Sequence, residues 1–159
     1  MEYPIPNHLK PYLVPDPEED NCEFQVTGAI RCTCGCERFS VSESNEAMIA
    51  RLTCSDCGRE ILLFDADKHG WNGFVCHSEA LDRTQPMWKA VCDECKGETF
   101  RVKVWIASQG REDFVSECVS HDPAFREEDW VDAFEWIQAS LECTQCGIEI
   151  DNWLDCETM

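Results

Sequence analysis

Four closely spaced cysteine pairs carry the chemistry that this chain can do. Cys32-Thr33-Cys34 and Cys54-Ser55-Asp56-Cys57 make one set; Cys92-Asp93-Glu94-Cys95 and Cys143-Thr144-Gln145-Cys146 make another. Two cysteines across a tight turn aim both sulfurs at a common point, where backbone amides can stabilise the thiolates. A glycine after the second cysteine (Gly35, Gly58, Gly147) supplies the backbone conformation such a turn needs. Two such turns facing each other give a tetrahedral S4 site. Reduced thiolates favour Zn(II) there, with Fe as the competing ion.

The two sets lie in repeat register. Phe39 follows Cys34 by five residues, as Phe100 follows Cys95, and the closing pattern L-x-C-x-x-C-G-x-E-I recurs at 52–61 and 141–150. Nineteen residues separate Cys34 from Cys54 and 47 separate Cys95 from Cys143, so the second copy carries an insertion. Residues 101–106 alternate as a strand should. Asp122-Pro123 marks a turn, residues 124–133 suit a short acidic helix, and 134–142 read as a strand entering the second cysteine pair. Residues 47–53 read as its counterpart in the first copy.

With these knuckles in view, the chain resembles the zinc-ribbon superfamily, over residues 32–61 and 92–150. That resemblance implies two tandem zinc-ribbon-like β modules, each clamping one structural zinc between hairpin knuckles. It implies one Zn(II) held by Cys32, Cys34, Cys54 and Cys57, and a second by Cys92, Cys95, Cys143 and Cys146. The expected fold is mainly β (a small α+β protein), with a short helix in the insertion of the second module. The expected division is a Pro-rich arm over 1–21, a first module over 22–86 and a second over 87–159. One departure stands out: Cys32-Thr33-Cys34 is a residue shorter than the usual knuckle, and Cys36 is close enough to replace Cys32 or Cys34. Register with Phe39 favours Cys34.

The composition calls for such crosslinks. The chain has 159 residues, 13 of them cysteine, with 32 Asp or Glu against 13 Lys or Arg and a net charge of −19. Leu, Ile, Val and Phe number 34, about 21%, close to the level at which a highly charged chain stays disordered. Core burial alone is marginal against conformational entropy, and metal binding energy is largely folding energy. Counting eight thiolates and two dications takes −19 to −23.

The remaining cysteines are Cys22, Cys36, Cys76, Cys118 and Cys156. Cys76-His77 and Cys118 with His121 have the residue types for a third site, without a knuckle pattern to support one. His69 falls in a Gly- and aromatic-containing loop, 65–74, read as a turn packing Trp71 and Phe74. Five of seven prolines fall within the first 17 residues, which reads as an extended or surface-draped arm.

No G-x-S-x-G, phosphate loop or H-E-x-x-H motif is present, so the common motif-marked enzymes gain no support. A broad phosphate-binding surface conflicts with the net charge, making nucleic acid an unfavoured partner. No stretch of 18 apolar residues exists to span a membrane, and Met1-Glu2-Tyr3-Pro4 lacks the features of a signal peptide, so a cytoplasmic location is expected. Residues 127–159 hold ten Asp or Glu, no Lys or Arg, and Trp130, Trp136 and Trp153. That composition suits an acidic, aromatic surface for a basic protein partner. The reading is a non-enzymatic, zinc-binding interaction module, of which an immunity- or antitoxin-like protein would be one form. The alternatives are an iron electron carrier, since paired knuckles also resemble rubredoxin-type sites, and a transcription-related zinc ribbon.

Overall fold

The computed structural model describes residues 2–44, 49–70, 86–121, 124 and 126–158. Strand β1 spans Leu13–Pro15, β2 Gln25–Ile30, β3 Phe39–Ser44, β4 Ile49–Cys54, β5 Glu60–Asp65 and β6 Trp88–Lys89. They are followed by β7 (Phe100–Ser108), helix α1 (Arg111–His121), β8 (Phe134–Cys143) and β9 (Glu149–Glu157). All nine strands join one antiparallel sheet along the path β1-β2-β7-β3-β4-β5, with β8 and β9 extending from β7 and β6 added to β3.

Alternation builds this sheet as predicted. In β7, Phe100, Val102, Val104 and Ile106 are buried while Arg101 and Lys103 are exposed, the period-two pattern of a strand with one face in the core. The same period in β8 buries Ile137, Ala139 and Leu141. The stretch 134–142 is therefore strand, as read. The inner faces form one continuous core, in which Phe39, Phe64, Phe100 and Phe134 are each at most 1% exposed.

The long pairing of β7 is with β8, from Phe100↔Cys143 to Ser108↔Phe134. On its other side β7 pairs with β2, from Gln25↔Ala107 to Ala29↔Lys103, and then meets β3 at the single pair Phe39↔Phe100. The two phenylalanines that mark the repeat thus sit directly opposite each other, each also opposite a cysteine of its own module (Phe39↔Cys54, Phe100↔Cys143). Equivalent residues paired antiparallel place a local two-fold relation between the repeats.

One expectation needs correction. The N-terminal arm is not draped: Leu9 is fully buried, Leu13 nearly so, and β1 hydrogen-bonds to β2. Its prolines limit helix without preventing packing. Gly28 lets β1 lie close, since a Cβ there would meet the Val14 carbonyl oxygen at 2.2 Å. The insertion holds the expected short acidic helix within 124–133, as the 3-10 helix Glu127–Asp132, and adds α1 ahead of it. Asp122, Pro123, Trp71 and Phe74 lie outside the described residues, as do Cys76 and His77.

The arm is held by a ring pair that the sequence does not announce. His8 stacks on His69 with centroids 3.9 Å apart and planes 9° from parallel. His8 Nε2–H donates to the Leu63 carbonyl (3.1 Å), and the Asp65 amide donates to His69 Nδ1 (3.1 Å). Burial pushes the His8 imidazole below its ordinary value against the opposing Leu63 bond and Asp132 charge. Burial, then the His8 charge, lowers His69 to about 4. A base whose pKa is lower folded than unfolded binds more protons unfolded. Its stabilisation is thus complete above about pH 6.5 and is lost as pH falls toward 4. The urea midpoint of the wild type is expected to drop over that window more than that of His69→Asn, where one titrating partner is gone. Parallel pH profiles would show that the pair carries no such linkage.

Candidate metal centres

Each tetrad forms where two turns meet at the end of paired strands. In the first, the turn before β3 carries Cys32 and Cys34, and the β4–β5 turn carries Cys54 and Cys57. In the second, the turn before β7 carries Cys92 and Cys95, and the β8–β9 turn carries Cys143 and Cys146. Within each tetrad all four sulfurs lie within 4.8 Å of one another, and these are the two such clusters among the described residues.

The spacing suits a metal better than a disulfide. Cys32–Cys57 and Cys34–Cys54 have Sγ separations of 3.5 Å; Cys92–Cys146 and Cys95–Cys143 are at 3.6 and 3.5 Å. A disulfide requires about 2 Å. A tetrahedron of thiolates at about 2.3 Å from a central ion has edges of about 3.8 Å, close to what is found. The first cysteine of each pair is buried (Cys32, Cys54, Cys92, Cys143), and the second is exposed (Cys34, Cys57, Cys146) or half-buried (Cys95). Two sulfurs per site are thereby anchored in the core, and two close the site from the solvent side.

The turn backbone resolves which cysteines belong. After the second cysteine of every pair the chain takes a positive φ: Gly35 (94°), Gly58 (74°), Lys96 (63°) and Gly147 (78°). Lys96 holds this conformation without glycine's freedom, at a steric cost. Three turns close from that residue's amide to a carbonyl four back: Gly58 to Cys54, Lys96 to Cys92 and Gly147 to Cys143. In the short knuckle Gly35 bonds Cys32, three back. Deleting one residue therefore tightens the turn and leaves its exit unchanged. Cys36 consequently takes the place of Gly97, outside the tetrad. It is buried, its sulfur accepts the Arg38 amide at 3.3 Å, and it does not replace Cys32 or Cys34.

Backbone N–H groups aim at the sulfurs in the same register. For Cys54, burial opposes the thiolate, yet the amides of Cys57 and Asp56 help bring the thiol down to about 6. The Cys146 amide, against burial and with Gln145, brings Cys143 to about 6. Cys34 has the Cys36 amide in its favour, but the bond with Cys54, burial and the neighbouring sulfurs push it up to about 12. Cys146 is pushed to about 12 as well: the Ile148 amide favours its thiolate, but burial and the Cys92, Cys95 and Cys143 sulfurs outweigh it. Four thiols this close cannot all ionise unaided, and a dication at the centre removes that obstacle. Both donor sets fit a tetrahedral thiophilic ion.

Among the described residues, the other predicted ones form no further cluster. Cys118 and His121 lie on α1, a helix without buried residues. Trp130, read as part of an acidic surface, is 1% exposed, while Trp153 is half-buried against the core. Trp136 is half-buried on the outer face of β8, where its indole N–H donates to Asp155 at 2.5 Å. The 3-10 turn explains the first of these: its tight period brings Trp130 and Val131 inward and leaves Glu127 and Glu128 outside. No helix among the described residues is long and apolar enough to cross a membrane. No protein-family model matches the chain, and comparison with curated proteins and with solved structures returns no match.

Proposed function

We propose that the chain is a non-enzymatic interaction module, built as two zinc-ribbon-like units on two Zn(II) ions, that engages a basic surface of a partner protein. The closed S4 arrangement carries the structural part of this reading: four protein sulfurs leave no coordination position for water or substrate. Thiolate-only donors favour Zn(II), and the same geometry accepts iron, which would mark a rubredoxin-like carrier. Elemental analysis with a visible spectrum separates the two. Two zinc atoms in a colourless protein support the module; an iron-charged, coloured protein overturns it.

The outer face of β7–β9 supports the partner class. Arg101, Lys103 and Trp105 point to this face from β7. Glu142, Gln138 and Trp136 lie on it from β8, opposite Glu149, Asp155 and Glu157 of β9. Glu142 and Glu149 directly oppose each other, a like-charge pairing that Arg101 already offsets from the Glu142 side. A groove of about 590 Å³ runs over part of this face beside Asp16, Glu149 and Asp151. Its cations are already engaged, Arg101 with Glu142 at 3.1 Å and Lys103 with Glu19 at 2.7 Å. Arg31, Arg38, Lys89, Arg111 and Arg126 are likewise ion-paired, and the net charge of −19 weighs against the transcription-related reading. An immunity- or antitoxin-like protein masking a cationic target is the specific form this chemistry fits.

Affinity for a partner recovered from the native cell is expected to fall at least tenfold between about 0.05 and 0.5 M salt, as charge-led binding requires. It is expected to fall again in Glu149→Lys/Asp155→Lys. A partner bound equally well at both salts would overturn the proposal.

A further inference from the structure

The outer face of the sheet is indented where β1, β2, β7 and β8 run side by side. Pairing sets one row across it: Val14 of β1 opposite Ala29 of β2, Ala29 opposite Lys103 of β7, and Lys103 opposite Ser140 of β8. Ala29 and Ser140 are the small members of that row, and both line the groove of about 590 Å³. At its β1 end stand Val14, 41% exposed, and the two prolines Pro15 and Pro17. At its β9 end stand Glu149 and Asp151. There the β8–β9 register shifts, so that residues 151–153 face Ser140 alone and Asn152 takes a φ of 50°. Such a bulge bends its strand and re-aims side chains.

The charges around the groove are unequally committed. Arg101 bonds Glu142 at 3.1 Å, and Lys103 leans the other way, to Glu19 at 2.7 Å and Asp16 at 3.8 Å. Glu149 and Asp151 are exposed and form no ion pair among the described residues. An anion entering the groove therefore finds both cations occupied, whereas a cation finds two carboxylates open. These two take alternate positions of β9, about 7 Å apart along the strand. A planar guanidinium, with its fork of donors, serves two carboxylates better than the point charge of an ammonium. From β1 to β9 there are four strand spacings, about 19 Å, which an extended chain covers in about six residues.

We propose that this groove binds an extended segment of a partner protein that lies across the strands, with an apolar residue against Val14, Pro15 and Pro17 and an arginine on Glu149 and Asp151. The inference rests on the interaction reading above and gives the partner's basic surface a definite form. That form is one arginine at a set distance from one apolar anchor, in place of diffuse positive charge. A second copy of this chain is a poor occupant, since at −19 it repels its own kind. A small cation would leave the β1 end of the groove empty, and an apolar ligand would leave the carboxylates unmatched. A segment with both features uses both ends.

The probe is the peptide acetyl-Leu-Gly-Ser-Gly-Ser-Arg-amide, titrated into the full chain at about 0.15 M salt, which screens charges beyond about 8 Å. In 1H–15N spectra the amide signals of Ala29, Ser140 and Asp151 are expected to move together. Citrulline in place of the arginine keeps the shape and removes the charge, and should weaken binding about tenfold, the scale of a lost charged hydrogen bond. Glu149→Gln/Asp151→Asn should weaken it as much, and serine in place of the leucine several-fold. Ala29→Gln, a neutral filling of an exposed position, should block the groove, while Asp155→Asn, on β9 but outside it, should leave binding unchanged. An equal loss in Asp155→Asn, or full binding to Ala29→Gln, would overturn the proposal, because general acidity would then account for the peptide. Unmoved groove signals would overturn it too, as would groove signals that shift with protein concentration alone, which would seat a second copy there. The salt response of the native partner is measured separately, so a failed groove leaves the wider reading standing.

Discussion

Cys143→Ser is expected to yield a chain that holds at most one metal ion and lacks a cooperative unfolding transition. Cys143 is fully buried and serves both as a predicted ligand and as the strand partner of Phe100. Structural zinc supplies about 10–16 kcal/mol of apparent folding free energy in small modules. Whole domains are stable by only about 5–15 kcal/mol. Losing one of four thiolates therefore removes a share that this thin core cannot replace. Cys36→Ser is the control: also a buried cysteine, beside the first tetrad's opening turn, but outside both tetrads. It should keep both ions and lose about 1 kcal/mol. Metal per chain and thermal melts of the two variants check this. Retention of two ions by Cys143→Ser, or loss of one by Cys36→Ser, would mean that the ligands are assigned wrongly.

Phe100→Ala should be the most damaging substitution away from the cysteines, at about 3–5 kcal/mol. The ring is fully buried, lies next to the Phe39 strand position, and continues into the core beside Cys143. Phe39→Ala, its repeat equivalent, should cost a similar amount. If the two rings act as a pair, the double variant should lose about 0.5–1.5 kcal/mol less than the sum of the singles. Urea unfolding measures all three. Phe24→Ala, at a ring 51% exposed, provides the contrast and should cost far less. Equal losses at Phe24 and Phe100 would remove the special standing given to the Phe39–Phe100 strand pair.

The cysteine tetrads were readable because their signal is local. Turn spacing, the glycines and the closing repeat all lie within ten residues of the ligands, and even the short first knuckle kept its register through Phe39. The strands β7 and β8 were readable for the same reason, since period-two burial is written residue by residue. Helix α1 was not, because none of its residues is buried and so it has no apolar stripe to detect. The partnership of β2 with β7 joins positions about 80 apart, and nothing near Val26 or Ile106 specifies the other. His8 and His69 are single residues in sequence and a stack only in the fold. The acids around Trp130 concealed a buried ring, because composition averages over the inside and outside of a turn. In the arm, the prolines drew attention from Leu9 and Leu13, which anchor it.

The meeting of Phe39 and Phe100 also bears on how the two metal centres would communicate. The ions would share no ligand and no direct contact, yet the strands leaving both sites converge on this one pair. Filling one centre orders its strand, and that strand presents to the second module a wall it would otherwise have to order alone. Each ion would then raise the affinity for the other by the same factor, as reciprocity demands of any two ligands of one folding equilibrium. Metal uptake would be positively cooperative, and partly loaded chains would be scarce at every metal concentration.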